Sequence, residues 1–379
     1  MMQDDTVQNS LTVDELCAEA SRRTGLTDFG PDGFRKPLAM LADHLSSPLL
    51  TENGRAALRD DLIVALVGRL IREDEWKKNP EWRTRKIDRP LVICGIPRTG
   101  TTALHKLLSV DPQFQGLDHW LTSWPKPRPS RAKWPQEQGY QNALAALEKL
   151  FEMVPQLRVS HDIVADEVDE CLEILRLDFI ANRFTSIYIV PEYDAWFQSQ
   201  DETPLYQRLA DTIRLIGLND DRTWLLKNPG HFGHLDELFT AFPDARVVIT
   251  HRDPVKSLGS LGSVLAGPRQ MFYDDPHLEM IGRRELAYWT QAKKATDATR
   301  EKRQEGQILD INHLDFHRDP MQTVRNIYEH FGLTLSDEVA TAMVKWLAAN
   351  PADKHGAHSY KLEDYGITAD QVRAGLGEG

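Results

Sequence analysis

The stretch GIPRTGTT at residues 95–102 has two glycines five positions apart, an arginine between them and two threonines after the second glycine. It lies between the apolar run LVIC at 91–94 and the helical pattern ALHKLL. A glycine-bounded turn from strand to helix offers backbone N–H groups and the positive helix end to an anion. The amides of Arg98 through Thr102 are expected to supply that cradle. A nucleoside triphosphate loop would carry lysine after its second glycine, to reach the terminal phosphates, and then a magnesium-binding hydroxyl. Here that position is Thr101, and the cation is Arg98, inside the loop. No apolar strand ends in an evident magnesium-binding aspartate, because RVVIT at 246–250 runs into His251 and Arg252. The residues therefore point to a phosphate ester held without a metal.

A second basic constellation is THRDPVKSLGS at 250–260, where Ser260 follows Arg252 by eight residues. A guanidinium grips a dianionic phosphate with two prongs, and a hydroxyl on the following helix can complete the grip. A third is WLLKNPGHFGHLDEL at 224–238, which places Lys227 at a strand end and His231 four residues on. Group transfer to a hydroxyl also needs a proton acceptor, and histidine suits neutral pH. Candidates are His161 in VSHDIVADEVDEC, with Glu167 and Glu170 after it, His119 in GLDHW, and His231.

The elements needed to position these side chains can be read from periodicity. Residues 11 to about 86 read as helices, with Val13, Leu16, Cys17 and Ala20 on one face. Strands are expected at Leu91–Cys94, Trp224–Leu226, 246–250 and Gln307–Ile311, with helical patterns between them. The implied fold class is α/β: a P-loop-like parallel β-sheet flanked by helices around one large core, with a helical N-terminal extension at 1–86 and an α/β domain at 87–379. Aromatic and proline-rich stretches at 120–135, 187–197 and 266–277 either wall a ligand pocket or fasten helices to the core.

Composition narrows the partners. The chain has 45 basic and 57 acidic residues, a net charge of −12, which argues against a broad nucleic-acid surface and against a long basic groove for anionic polymers. Cys17, Cys94 and Cys171 form no CxxC pair and read as reduced, mostly buried thiols. The first thirty residues lack a secretory pattern, and no stretch approaches the ~20 apolar residues of a membrane span. A cytoplasmic protein with no integral membrane segment is expected.

The loop and the second constellation together resemble the sulfotransferases that use 3′-phosphoadenosine 5′-phosphosulfate (PAPS), and among them the bacterial branch whose loop commonly reads PRTGTT. Pro97, Arg98, Thr99, Gly100, Thr101 and Thr102 appear in the family's order. The resemblance implies that Arg98, Thr99, Gly100, Thr101 and Thr102 hold the donor's 5′-phosphate and sulfuryl group, and that Arg252 and Ser260 hold its 3′-phosphate. Arg98 stands where the animal cytosolic enzymes have lysine. Lys227 is expected to reach the sulfuryl oxygens, with His161 or His119 as the base.

The strand ending in Lys227, the run ILDINHLDFHRDPMQTVRNIYEHFGL at 308–333 and HSYKLEDYGIT at 358–368 resemble later landmarks of that branch. The last of these is expected to form a C-terminal segment covering the donor. The glycine-rich C-terminal donor motif of the animal enzymes is missing. The implied reaction is metal-independent transfer of a sulfuryl group to a small-molecule alcohol or phenol. On the residues alone, two other readings stand beside it: a magnesium-dependent kinase or hydrolase, and a nucleotide-binding protein without turnover.

Overall fold

The run Leu91–Cys94 is completely buried and forms β1, the middle strand of a five-stranded sheet. The structure, a computed structural model, describes residues 11–153, 164–303, 306–351 and 361–378. Four further strands join β1: β2 (Phe114–Gln115), β5 (Thr223–Lys227), β6 (Arg246–His251) and β7 (Ile308–Asn312), in the order β2-β5-β1-β6-β7. Every pairing is parallel, with Leu91 in register with Leu225 on one side and Arg246 on the other. Separately, β3 (Leu117–Asp118) and β4 (Val168–Asp169) form a short antiparallel ladder.

The side-chain alternation of the strands divides the interior. Val92, Cys94, Leu226, Val247 and Ile249 face one hydrophobic core; Leu91, Ile93, Leu225 and Val248 face another. A parallel sheet is covered on both faces, so its strands read as unbroken apolar runs and produce two cores where one was expected. The second core is closed by Leu104, Leu107 and Leu108 of the helix Thr101–Leu108 and by Val324 and Ile327.

The N-terminal helices share the first core. In α1 (Val13–Thr24) Leu16, Cys17 and Ala20 are buried on the expected stripe, and Thr12 and Glu15 close its start with reciprocal capping bonds. Leu38 and Leu41 of α2 (Arg35–Asp43) and Leu62 and Leu66 of α3 (Glu52–Lys78) join the same cluster.

The expected strands occur with their ends shifted by a residue or so: 224–226 becomes Thr223–Lys227, and 307–311 becomes Ile308–Asn312. The two-residue strands β2, β3 and β4 leave no periodic trace in the sequence. Trp120, Trp134, Tyr188, Tyr193, Phe197, Phe272 and Tyr273 are all buried, so these aromatics of the three irregular stretches are core. The three cysteines are free and buried. No helix among the described residues is long and apolar enough to cross a membrane.

Candidate active site

The chemistry-bearing residues collect at the carboxyl ends of β1, β5, β6 and β7, on either side of the central strand, where open α/β sheets leave a crevice. After β1 the chain enters the glycine loop and then the helix Thr101–Leu108. Gly95 has φ 145°, and a Cβ there would lie 2.5 Å from the Thr250 carbonyl oxygen, so the loop can cross β6 only without a side chain. Arg98 adopts φ 71° and Gly100 φ 94°, the left-handed region. This winding brings the chain into the helix with its first amides unpaired within the helix, the arrangement that receives an anion.

The threonines of the loop have different surroundings. Thr99 is buried; its hydroxyl bonds the Ile96 carbonyl at 2.8 Å and the Thr250 hydroxyl at 2.5 Å, which ties the loop to β6. Thr101 is buried, while Thr102 is exposed and its Oγ1 accepts from Lys227 Nζ at 3.2 Å.

The two motifs expected to bind anions meet. Arg98 Nε donates to Ser260 Oγ at 3.1 Å, and Arg252 Nη1 donates to the Arg98 carbonyl at 3.0 Å. Arg252 follows the end of β6, and Ser260 lies on the helix Pro254–Arg269, whose N-cap Asp253 accepts from the Val255 amide. The grips expected as separate places form one cluster.

Lys227, the last residue of β5, is 2 % exposed, and its ammonium forms an ion pair with Glu170 as well as the bond to Thr102. Loss of water pushes the Glu170 carboxyl upward, against the pull of Lys227. The Cys171 amide donates to the Lys227 carbonyl at 2.9 Å, which locks the 168–171 segment beside β5.

The candidate bases separate. His119 Nδ1 lies 2.5 Å from Asp169 Oδ2, both side chains being about one-fifth exposed. Burial lowers the proton affinity of His119, but the bond to Asp169 and its charge outweigh this, so the net direction is up. His231 is fully buried and bonds Tyr206 through Nδ1; burial pushes it down to about 3. It is engaged with Tyr206 through that nitrogen. His161 lies outside the described residues.

Three residues escaped the sequence reading. Asp169 has no pattern to mark it. His105, inside the loop helix, is buried near Lys227 and held down to about 3, mainly by burial. His313 directly follows β7, with its Nδ1 3.0 Å from where a Cβ on Gly100 would stand; burial and the nearby Arg252 hold it down to about 4. Its place after a parallel strand was the one available signal.

Among the described residues no group of three or more His, Cys, Asp or Glu side chains is arranged to hold a metal ion. The cradle instead fits a phosphate ester: a helix start with left-handed Gly100, guanidinium groups of Arg98 and Arg252, the Ser260 hydroxyl and the Lys227 ammonium.

Comparison with known proteins agrees with this chemistry. A family model described as the sulfotransferase family matches residues 90–337. The omega-hydroxy-beta-dihydromenaquinone-9 sulfotransferases Stf3 of Mycobacterium bovis and Mycobacterium tuberculosis are each 24% identical over 299 residues, covering 75% of this chain and 71% of theirs. The crystal structure of sulfotransferase STF1 from Mycobacterium tuberculosis H37Rv superposes with a TM-score of 0.87 at 37% identity, over 97% of this chain and 98% of that one. That of STF9 from Mycobacterium avium gives 0.89 at 29% identity, over 98% and 96%. These likenesses set aside the kinase, hydrolase and non-catalytic readings. With its glycine loop, paired arginines and strand-end lysine inside the matched region, the chain belongs to the sulfotransferase family and is a sulfotransferase.

Proposed function

We propose that this enzyme transfers the sulfuryl group of PAPS to the hydroxyl of a small-molecule alcohol or phenol by in-line displacement. The single observation that carries the reading is the joined cluster of Arg98, Arg252 and Ser260, with Lys227 bonded to Thr102 of the same loop. When bound, the donor supplies an activated sulfuryl group on a phosphate leaving group; the protein's task is alignment and neutralisation of charge, as in phosphoryl transfer.

Each residue then has a definite task. The amides from Arg98 to Thr102, at the start of the helix, receive the 5′-phosphate, with Gly100 leaving room for close approach. Arg252 and Ser260 receive the 3′-phosphate. Arg98, tethered by its carbonyl to Arg252 and by Nε to Ser260, lies between the two phosphate positions and neutralises charge at either. Lys227 stabilises charge on the transferring group, and Glu170 holds its ammonium in place beforehand. His119 takes the acceptor's proton; His161, the other candidate, lies outside the described residues. The dihydromenaquinone-derived hydroxyl named for the Stf3 relatives favours an apolar alcohol as acceptor.

The test is thermal unfolding of the purified protein with 3′-phosphoadenosine 5′-phosphate or with ATP and magnesium, followed by transfer from labelled PAPS to a panel of alcohols and phenols. The adenosine bisphosphate is expected to stabilise by about 2.7 kcal/mol at a hundred times its dissociation constant, and label is expected to reach an alcohol in the presence of a chelator. Stabilisation by ATP and magnesium alone, or transfer that stops with chelator, would overturn the proposal.

A further inference from the structure

We infer that Asp169 is the positioning residue of the proton-accepting histidine: it holds His119 as the Nδ1–H tautomer, so that Nε2 is the ring nitrogen offered to the acceptor hydroxyl. This inference rests on the reading of His119 as the base.

The geometry is built by the short ladder. Leu117 of β3 is in register with Asp169 of β4, and Asp118 with Val168. His119 comes directly after β3, and its amide donates to the Glu167 carbonyl at 2.9 Å. The backbones on both sides of the pair are thus fixed before their side chains meet. The carboxylate is held at both oxygens: Oδ2 by His119 Nδ1 at 2.5 Å and Oδ1 by the Glu170 amide at 2.7 Å. An acid that cannot rotate sets the imidazole plane and commits Nδ1.

The next residue, Glu170, turns to Lys227. Adjacent carboxylates therefore hold the two groups that the reaction needs, the proton acceptor by Asp169 and the cation by Glu170. The charged or titratable groups facing His119 include Asp169, Glu173 and Arg176, and those facing Asp169 include His119, Lys227, Glu170 and His105. Asp169 is held below the ordinary carboxylate range, burial opposing and the bond to His119 prevailing, so it stays an acceptor when His119 is neutral and when it is protonated.

In the step itself the acceptor oxygen forms its bond to sulfur while the sulfur–oxygen bond to the phosphate breaks, the electron pair leaving on the phosphate oxygen. The hydroxyl proton passes to His119 Nε2, and the imidazolium keeps its Nδ1 proton, hydrogen-bonded to Asp169.

The experiment combines pH–rate profiles of Asp169→Asn, Asp169→Glu and His119→Ala with nitrogen NMR of His119 in the unaltered enzyme. Asp169→Asn is expected to lower kcat by roughly tenfold to a thousandfold, to leave the acceptor KM unchanged and to move the ascending limb of the profile to lower pH. Asp169→Glu should recover part of kcat. The NMR spectrum of the neutral ring should show the Nδ1–H tautomer, a reading that needs no variant to fold. An unchanged profile in Asp169→Asn, or a neutral ring with its proton on Nε2, would overturn the positioning role. Full turnover by His119→Ala would overturn the underlying assignment of the base, an outcome distinct from loss of turnover in His119→Ala with no change in Asp169→Asn.

Discussion

Arg252 donates from Nη1 to the carbonyl oxygen of Arg98 at 3.0 Å, across 154 residues of chain. The bond joins the end of β6 to the loop after β1 and brings the two motifs together. Arg98 can adopt the left-handed φ of 71° because its carbonyl is pinned by Arg252 and its guanidinium by Ser260.

From this it follows that Arg252→Ala should weaken binding of 3′-phosphoadenosine 5′-phosphate by roughly 2 kcal/mol or more, about thirtyfold, the scale of losing a charged hydrogen bond. Titration calorimetry measures this directly. Arg252→Lys should recover only part of it, since an ammonium lacks the two-pronged geometry. Unchanged affinity in Arg252→Ala would remove the residue from the site.

Lys227→Ala should act on turnover more than on donor affinity. A cation aimed at developing charge is worth on the order of a hundredfold or more in kcat. Steady-state kinetics at saturating donor, with calorimetry alongside, separates the two effects. A loss of donor affinity with kcat unchanged would show that Lys227 only binds.

Gly100→Ala should damage the loop. The position has φ 94°, and an added Cβ would lie 3.0 Å from His313 Nδ1. A left-handed non-glycine residue costs about 1–2 kcal/mol, and relief of the contact would tilt the loop amides. The expected result is weaker donor binding with intact secondary structure, measured by calorimetry and circular dichroism. A variant that binds donor normally would count against the loop as the cradle.

With His119 as base, kcat/KM should rise with pH through a midpoint above about 6.5, the ordinary imidazole value, because the net shift in the free protein is upward. The sign for stability is opposite. A raised folded pKa means that the protonated His119–Asp169 pair favours the fold at low pH, and that this contribution fades as pH rises through the folded value. Rate and chemical-denaturation profiles over pH 5 to 9 test both.

A buried ion cluster should control acid stability. Asp178 accepts from Arg72 at 2.8 Å and from Arg208 Nε at 2.7 Å, and is also paired with Arg69. Although burial raises its pKa, these arginines hold it well below the usual carboxylate range, and Arg183 and Arg176 likewise bring Asp61 down to about 2. Depressed carboxylates contribute stability that is present above about pH 4 and lost as pH falls through the folded values, so urea midpoints should fall between pH 4 and 2. Asp178→Ala should cost about 3–5 kcal/mol at pH 7, because it leaves buried guanidinium groups uncompensated.

Local information was enough to reveal much of this enzyme. A strand, a glycine turn and a helix start are written into consecutive residues from Leu91 to Leu108. The eight-residue step from Arg252 to Ser260 is likewise local, because one turn and one helix join them. The apolar runs that become β1, β5 and β6 required a sheet covered on both faces, and the alternation of helices with strands required parallel pairing.

What tertiary structure alone decided is which distant side chains meet. Lys227 could be read as a strand-end cation, but its pairing with Glu170 depends on a segment laid beside β5 by an amide bond from Cys171. His119 was one of three candidate bases among 13 histidines, and its partner emerged only when a two-residue ladder brought Asp169 against it. Composition could not sort pocket walls from core among the aromatic stretches, since the same rings serve either purpose until packing fixes their surroundings. Periodicity reports what a residue's own element will bury; contacts across 50 or 150 residues depend on how elements stack, and no local pattern encodes that.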